Sequence, residues 1–134
     1  MTDISSAPDD DAPHLLVVDD DTRIRNLLKQ YLTENGFRIT VAGNADEARR
    51  QLTGLDFDLL ILDVMMPGLS GLDVLRKVRE DERTKAVPVI LLTARSRDSD
   101  VDSGFATGAT DYVIKPFSPR ELVHRVSSVL ARGA

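Results

Sequence analysis

The sequence has no cysteine and only two histidines, His14 and His124, among its 134 residues. Without cysteine there are no disulfides and no thiolate metal ligands, and two separated histidines do not make a zinc centre. No apolar run comes near the roughly 20 residues that a membrane-crossing helix needs, so no membrane association is expected. The opening stretch, Met1 to Pro13, contains Asp3, Asp9, Asp10 and Asp11 but no basic residue. A secretory signal needs a basic start and an apolar middle, and this stretch has neither. Residues 1–13 are therefore expected to form a disordered acidic leader, with cytoplasmic residence as the default. Positive charge is scarce as well, 17 lysines and arginines standing against 22 acids for a net charge of −5. Arg49-Arg50 and Arg76-Lys77 are short and lie near acids, so direct nucleic-acid binding by this chain is not expected.

What is present is the composition of an ordinary globular domain, 42% hydrophobic and 29% charged, in a length that supports one continuous core over residues 14–132. Strand-length apolar runs alternate with stretches of helical period, the signature of an α/β fold with a parallel sheet. Leu15 to Val18 is apolar throughout, as a strand covered on both faces should be, and runs into Asp19-Asp20-Asp21. A helix follows, with Ile24, Leu27, Leu28, Tyr31 and Leu32 on one stripe and Gly36 as its stop. Phe37 to Val41 reads as a less apolar edge strand. Asn44 with Glu47 then starts a second helix that turns Ala45, Ala48 and Leu52 inward.

Leu59 to Leu62 is the third strand and ends on Asp63, after which Met66-Pro67-Gly68 breaks the chain. A third helix buries Leu72, Leu75 and Val78. Pro88 precedes the fourth strand, Val89 to Leu92, which ends on Thr93. A fourth helix is expected over about Asp98 to Thr107, anchored by Val101 and Phe105. The fifth strand, Tyr112 to Ile114, ends at Lys115-Pro116. The last helix opens on Ser118, Pro119 and Glu121, a cap, a first-turn proline and a capping-box acid. Leu122, Val126, Val129 and Leu130 form its inward stripe. Five strands and five helices thus alternate strictly.

In an open parallel sheet, ligands bind beyond the carboxyl ends of the strands. Four of the expected strands end there on a functional group: Asp19 and Asp20, Asp63, Thr93, and Lys115. Singly, each has an ordinary structural role. Asp19, Asp20 or Asp63 can cap a turn, with Asp21 the expected cap of the first helix, while Thr93 can end a strand, Lys115 can lie in solvent and Tyr112 can sit in the core. Brought together, the acids repel one another and call for a hard divalent cation such as Mg²⁺. With a lysine and a hydroxyl beside them, they suit the transfer of a phosphoryl group to a carboxylate.

Val17-Val18-Asp19-Asp20, Leu62-Asp63-Val64-Met65-Met66-Pro67-Gly68, Leu92-Thr93-Ala94 and Lys115-Pro116-Phe117 resemble the response-regulator receiver family, over about Leu15 to Arg132. The resemblance implies a doubly wound (βα)5, flavodoxin-like fold with strand order 2-1-3-4-5. It also implies a two-component signalling role, with phosphoryl transfer to Asp63 from a sensor histidine kinase or histidine phosphotransfer protein. Asp20, Asp63 and the backbone carbonyl of Met65 would hold Mg²⁺, for which Mn²⁺ could substitute, and Asp19 would act through a water. Thr93 and Lys115 would bind the phosphoryl group, the latter before a cis bond to Pro116. Ala94 would leave access open, Tyr112 would relay the switch to an output partner or domain, and Met65 and Arg95 would tune hydrolysis.

Some receivers form homodimers through the fourth helix, fifth strand and fifth helix by crossed salt bridges. Asp111, Glu121 and Arg125 match part of that pattern, but Val101 and Thr110 stand where charged residues are usual, and the segment Arg79 to Val87 is longer than in that subclass. A metal-dependent phosphohydrolase is the competing reading. It lacks a second acid shortly after Asp63 and room for a substrate cap, so a non-enzymatic signalling domain is expected.

Overall fold

A computed structural model describes residues 10–66, 68, 70–94 and 106–133. The expected helix over Asp98 to Thr107 lies outside the described residues except for Ala106 and Thr107, which are helical, and Arg95, Pro67 and Met1 to Asp9 lie outside them too. The elements are β1 His14–Val18, α1 Thr22–Glu34, β2 Arg38–Ala42, α2 Ala45–Gly54, β3 Leu59–Asp63, α3 Gly71–Glu80, β4 Val89–Ala94, β5 Asp111–Lys115 and a last helix, α4, Pro119–Gly133. All neighbouring strands are parallel, in the order β2-β1-β3-β4-β5. This is the implied doubly wound sheet.

The unbroken apolar strands follow from burial on both faces. Leu16, Val18, Leu60, Leu62 and Leu91 pack under α2 and α3 with Ala48, Val74 and Leu75. The alternate residues Leu15, Val17, Ile61, Ile90 and Leu92 pack under α1 and α4 with Leu28, Leu32, Leu122 and Val126. Successive side chains on a strand point to opposite faces, so each run feeds two cores.

Two expectations are corrected. Leu27 does not share the inward stripe of α1 and is 51% exposed. Ile24, Leu28 and Leu32 recur every four residues along the packed face, and Leu27 falls about 100° away from Leu28. The second strand begins at Arg38 rather than Phe37 because Phe37 closes the preceding helix. Gly36 has φ +95°, Gly36 N–H donates to the Thr33 carbonyl and Phe37 N–H to the Leu32 carbonyl, both at 3.1 Å. These two bonds and the packing of Phe37 beside Leu32 make a Schellman closure. The other strands run one or two residues beyond their expected ends.

β1 lies between β2 and β3, so the chain winds one way from β1 to β2 and the other from β3 to β5. The reversal leaves a crevice at the carboxyl ends of β1 and β3. In register, Val18 faces Leu62, Asp63 faces Leu92 and Ala94 faces Lys115. The polar residues at the strand ends are thereby set side by side.

Candidate functional site

Asp19 leaves β1 fully buried. Its N–H donates to the Ala42 carbonyl at 3.1 Å, and its Oδ1 accepts from Asp21 N–H at 2.9 Å. Asp21 caps α1, its carboxylate accepting from the N–H groups of Arg23 and Ile24. Asp20, between them, is exposed.

Asp63 ends β3 at 3% exposure, and its Oδ1 accepts from Met65 N–H at 3.2 Å. The start of α3 presses against its backbone. Gly71 N–H donates to the Val64 carbonyl at 3.0 Å, and a methyl group at Gly71 would run into the Asp63 carbonyl oxygen. Ser70 and Asp73 cap that helix reciprocally, a device the sequence reading missed although Ser70-x-x-Asp73 spells it.

Lys115 reaches over from β5. Its Nζ lies 3.2 Å from Asp63 Oδ1 and 3.5 Å from Asp19 Oδ2. Carboxylate oxygens of Asp19, Asp20 and Asp63 lie within 4.8 Å of one another. Burial, and next the Asp19 charge, push the Asp63 carboxyl up to about 6, while Lys115 and the Met65 N–H pull it down. Three clustered acids, two of them paired with one ammonium, leave unmet negative charge in a set of oxygen donors, which fits a hard divalent cation. At the end of β4, the buried Thr93 Oγ1 has no hydrogen-bond partner among the described residues. A buried hydroxyl left so costs about 1–3 kcal/mol, and it fits a site that receives an oxygen-rich group.

Not every candidate lies in this crevice. Ala94 is beside Lys115 in register, and the 52%-exposed Met65 follows Asp63. The peptide between Lys115 and Pro116 is cis, as the family resemblance implied. Tyr112 packs half-buried against the α2/α3 core. Asp111 is four residues back along β5 from Lys115, about 13 Å at strand rise, and pairs with Arg125 of α4 at 3.2 Å within the same chain. Glu121 is exposed on α4, its N–H donating to Ser118 Oγ at 3.1 Å. Arg25, absent from the candidates, donates from Nη1 to the Asp19 carbonyl at 2.8 Å.

Fold and crevice define a doubly wound α/β domain whose sheet presents clustered acids, a lysine and a hydroxyl at its carboxyl edge. The chain belongs to the response regulator receiver domain family, whose model matches residues 15–127. It is thus a receiver domain of the two-component response regulators. Protein PetR of Rhodobacter capsulatus is 51% identical over 121 residues, which cover 90% of this chain and 49% of PetR. The transcriptional regulatory protein ResD of Bacillus subtilis is 46% identical over 120 residues, with coverage of 90% and 49%. The chain thus spans about half the length of these curated relatives. The response regulator TrrA of Thermotoga maritima, solved in complex with Mg²⁺-BeF, superposes with a TM-score of 0.77 at 41% identity, covering 87% of this chain and 98% of that one. Receiver domains bind Mg²⁺ at an acidic site, and the family implies histidine-kinase phosphodonors. Among the described residues no helix is long and apolar enough to cross a membrane.

Proposed function

We propose that Asp63 is the phosphoacceptor of this receiver, charged by a sensor histidine kinase or a histidine phosphotransfer protein in the cytoplasm. The observation that carries the proposal is the Lys115 ammonium 3.2 Å from Asp63 Oδ1, with three carboxylates gathered beside it. With its pKa near 6, Asp63 is ionised at neutral pH. Its Oδ1 is engaged by Met65 N–H and Lys115, so we assign Oδ2 to the attack on phosphorus. A P–O bond forms, the P–N bond to the donor histidine breaks, and the electron pair stays on the imidazole nitrogen. Asp20, Asp63 and the Met65 carbonyl would hold Mg²⁺, or Mn²⁺ in its place, with Asp19 acting through a water, and the bound cation would supply positive charge against that gathering on the phosphoryl oxygens.

The Thr93 hydroxyl, without a partner among the described residues, donates to one phosphoryl oxygen, and Lys115 exchanges its carboxylate contacts for another. Ala94 is too small to obstruct the approach, and Met65 and Arg95 set how fast water hydrolyses the acyl phosphate. Movement of Thr93 draws Tyr112 inward and changes the surface read by an output partner or an attached output domain. Phosphorylation shifts that equilibrium only by the differential contacts of these residues. Catalysis is confined to the chain's own phosphorylation and slow self-hydrolysis. Residues 14–132 make up the domain and residues 1–13 a leader. A homodimer through the segment over 98–107, β5 and α4 belongs to the same proposal, with the Asp111–Arg125 pair shared rather than created.

Intact-mass measurement after incubation with acetyl phosphate and Mg²⁺ tests the assignment. The wild type gains one phosphoryl group and Asp63→Asn gains none; equal labelling of the two would sink it. Lys115→Ala retains some labelling but loses the amide-shift response of β5 and α4, and a full response would contradict the role given to the lysine.

A further inference from the structure

We propose that Arg25 is a positioning residue for the divalent-cation site, acting through the peptide that joins Asp19 to Asp20; this rests on the function proposed for that site. Arg25 lies on α1, and its Nη1 donates to the Asp19 carbonyl at 2.8 Å while Nη2 donates to Thr22 Oγ1 at 3.3 Å. The Asp19 carbonyl belongs to the planar unit shared with Asp20. One guanidinium therefore fixes the plane from which the Asp20 side chain departs.

The two acids need this help unequally. Asp19 is buried and already tied by its own N–H and by its Oδ1. Asp20 is exposed, so burial does not orient it, and the direction of its Cα–Cβ bond comes from the backbone. Mg²⁺ demands near-ideal octahedral geometry at roughly 2.0–2.1 Å, so a small tilt of that peptide misplaces a ligand. Arg25 grips the carbonyl rather than the carboxylates, which leaves their charge available to a cation.

The turn after β2 closes on the same guanidinium. A methyl group at Gly43 would stand 2.9 Å from Arg25 Nη1 and 3.2 Å from Glu47 Oε1, the oxygen that accepts from Gly43 N–H at 2.6 Å. Gly43 is not among the glycines with positive φ, so its small size is a matter of space. It leaves a slot in which the arginine lies. Arg25 thus packs the loop carrying two of the three acids against the β2–α2 turn, and Gly43→Ala disturbs that packing without removing the arginine.

Mg²⁺ dissociation constants, from calorimetric titration of the whole chain, decide the matter, with metal-free thermal melts reporting each variant's folded fraction. Arg25→Ala is expected to bind Mg²⁺ about tenfold more weakly, in the range of other residues that orient metal ligands. Arg25→Lys recovers part of this, because one ammonium cannot span both the Asp19 carbonyl and Thr22. Gly43→Ala weakens binding about threefold in the wild type and not at all in the Arg25→Ala background, since both act through one contact. If Arg25→Ala does not fold, Arg25→Lys and Gly43→Ala carry the decision. Unchanged affinity in these variants, with a wild type that binds Mg²⁺, overturns the inference alone. A wild type that binds no Mg²⁺ overturns the site reading and this inference together.

Discussion

Around the long α3–β4 connection, two arginines bond almost entirely to main-chain carbonyls: Arg79 to Gly108, Lys85 and Val87 at 2.6–3.2 Å, and Arg83 to Leu52, Thr53 and Leu55, with Asp56, at 2.9–3.2 Å. At the carboxyl ends of β1, β3 and β4, by contrast, two acids are buried together against one lysine, and a threonine hydroxyl has no partner among the described residues. The first region satisfies its polar groups internally and stabilises the fold. The second leaves demand that a bound cation and phosphoryl group can meet. Rules of polar satisfaction are broken where a protein acts and kept where it is only held together.

That contrast breaks most visibly at Arg79. Replacing the half-buried arginine by alanine strips three carbonyls of their donor and is expected to cost about 2–3 kcal/mol in urea melts; a loss below about 0.5 kcal/mol would show the carbonyls re-solvating freely. In the crevice the sign reverses. Asp63→Asn removes a desolvated charge, so the metal-free chain at pH 7.5 is expected to gain on the order of 1–3 kcal/mol, and a destabilised variant would contradict the buried-charge account.

The pH dependence sharpens the same comparison. The Asp63 carboxyl titrates near 6 in the fold against an ordinary 3.8, so between these values the folded state holds more protons than the unfolded one. Its contribution to stability is full below about pH 4 and is lost as pH rises through 6. The wild-type stability relative to Asp63→Asn therefore falls over that window in metal-free buffer, and a flat difference would refute the shift. Lys115→Ala moves the Asp63 midpoint further up, readable by carboxyl carbon NMR, because the ammonium holds it down. The smallest effect is expected at the surface, where Arg49 meets Asp46 at 2.6 Å with both side chains more than half exposed. Arg49→Ala is expected to change stability by less than about 0.5 kcal/mol.

Local pattern made much of this legible. Apolar runs ending on Asp19, Asp63, Thr93 and Lys115 marked the strand ends and the site together, because a parallel sheet carries all such ends to one edge. Asn44 and Asp21 cap their helices as their positions implied. Periodicity could not tell Leu27, at the margin of a stripe, from the buried Leu28 beside it. Nor could it show that Phe37 completes a helix end rather than opening a strand. Arg25 and Arg83 were hidden for a different reason. Both grip mainly backbone carbonyls, which every residue has, and Arg83 does so across about 30 positions of chain, so the pattern of side-chain types does not single them out.

Gly71 rests so close to the Asp63 carbonyl that even a methyl group would collide with it. The alphabet at that position is therefore reduced to one letter, and any drift there would be felt at once by the Asp63 peptide. The seat beneath the Asp63 carboxylate is thereby closed to every larger residue.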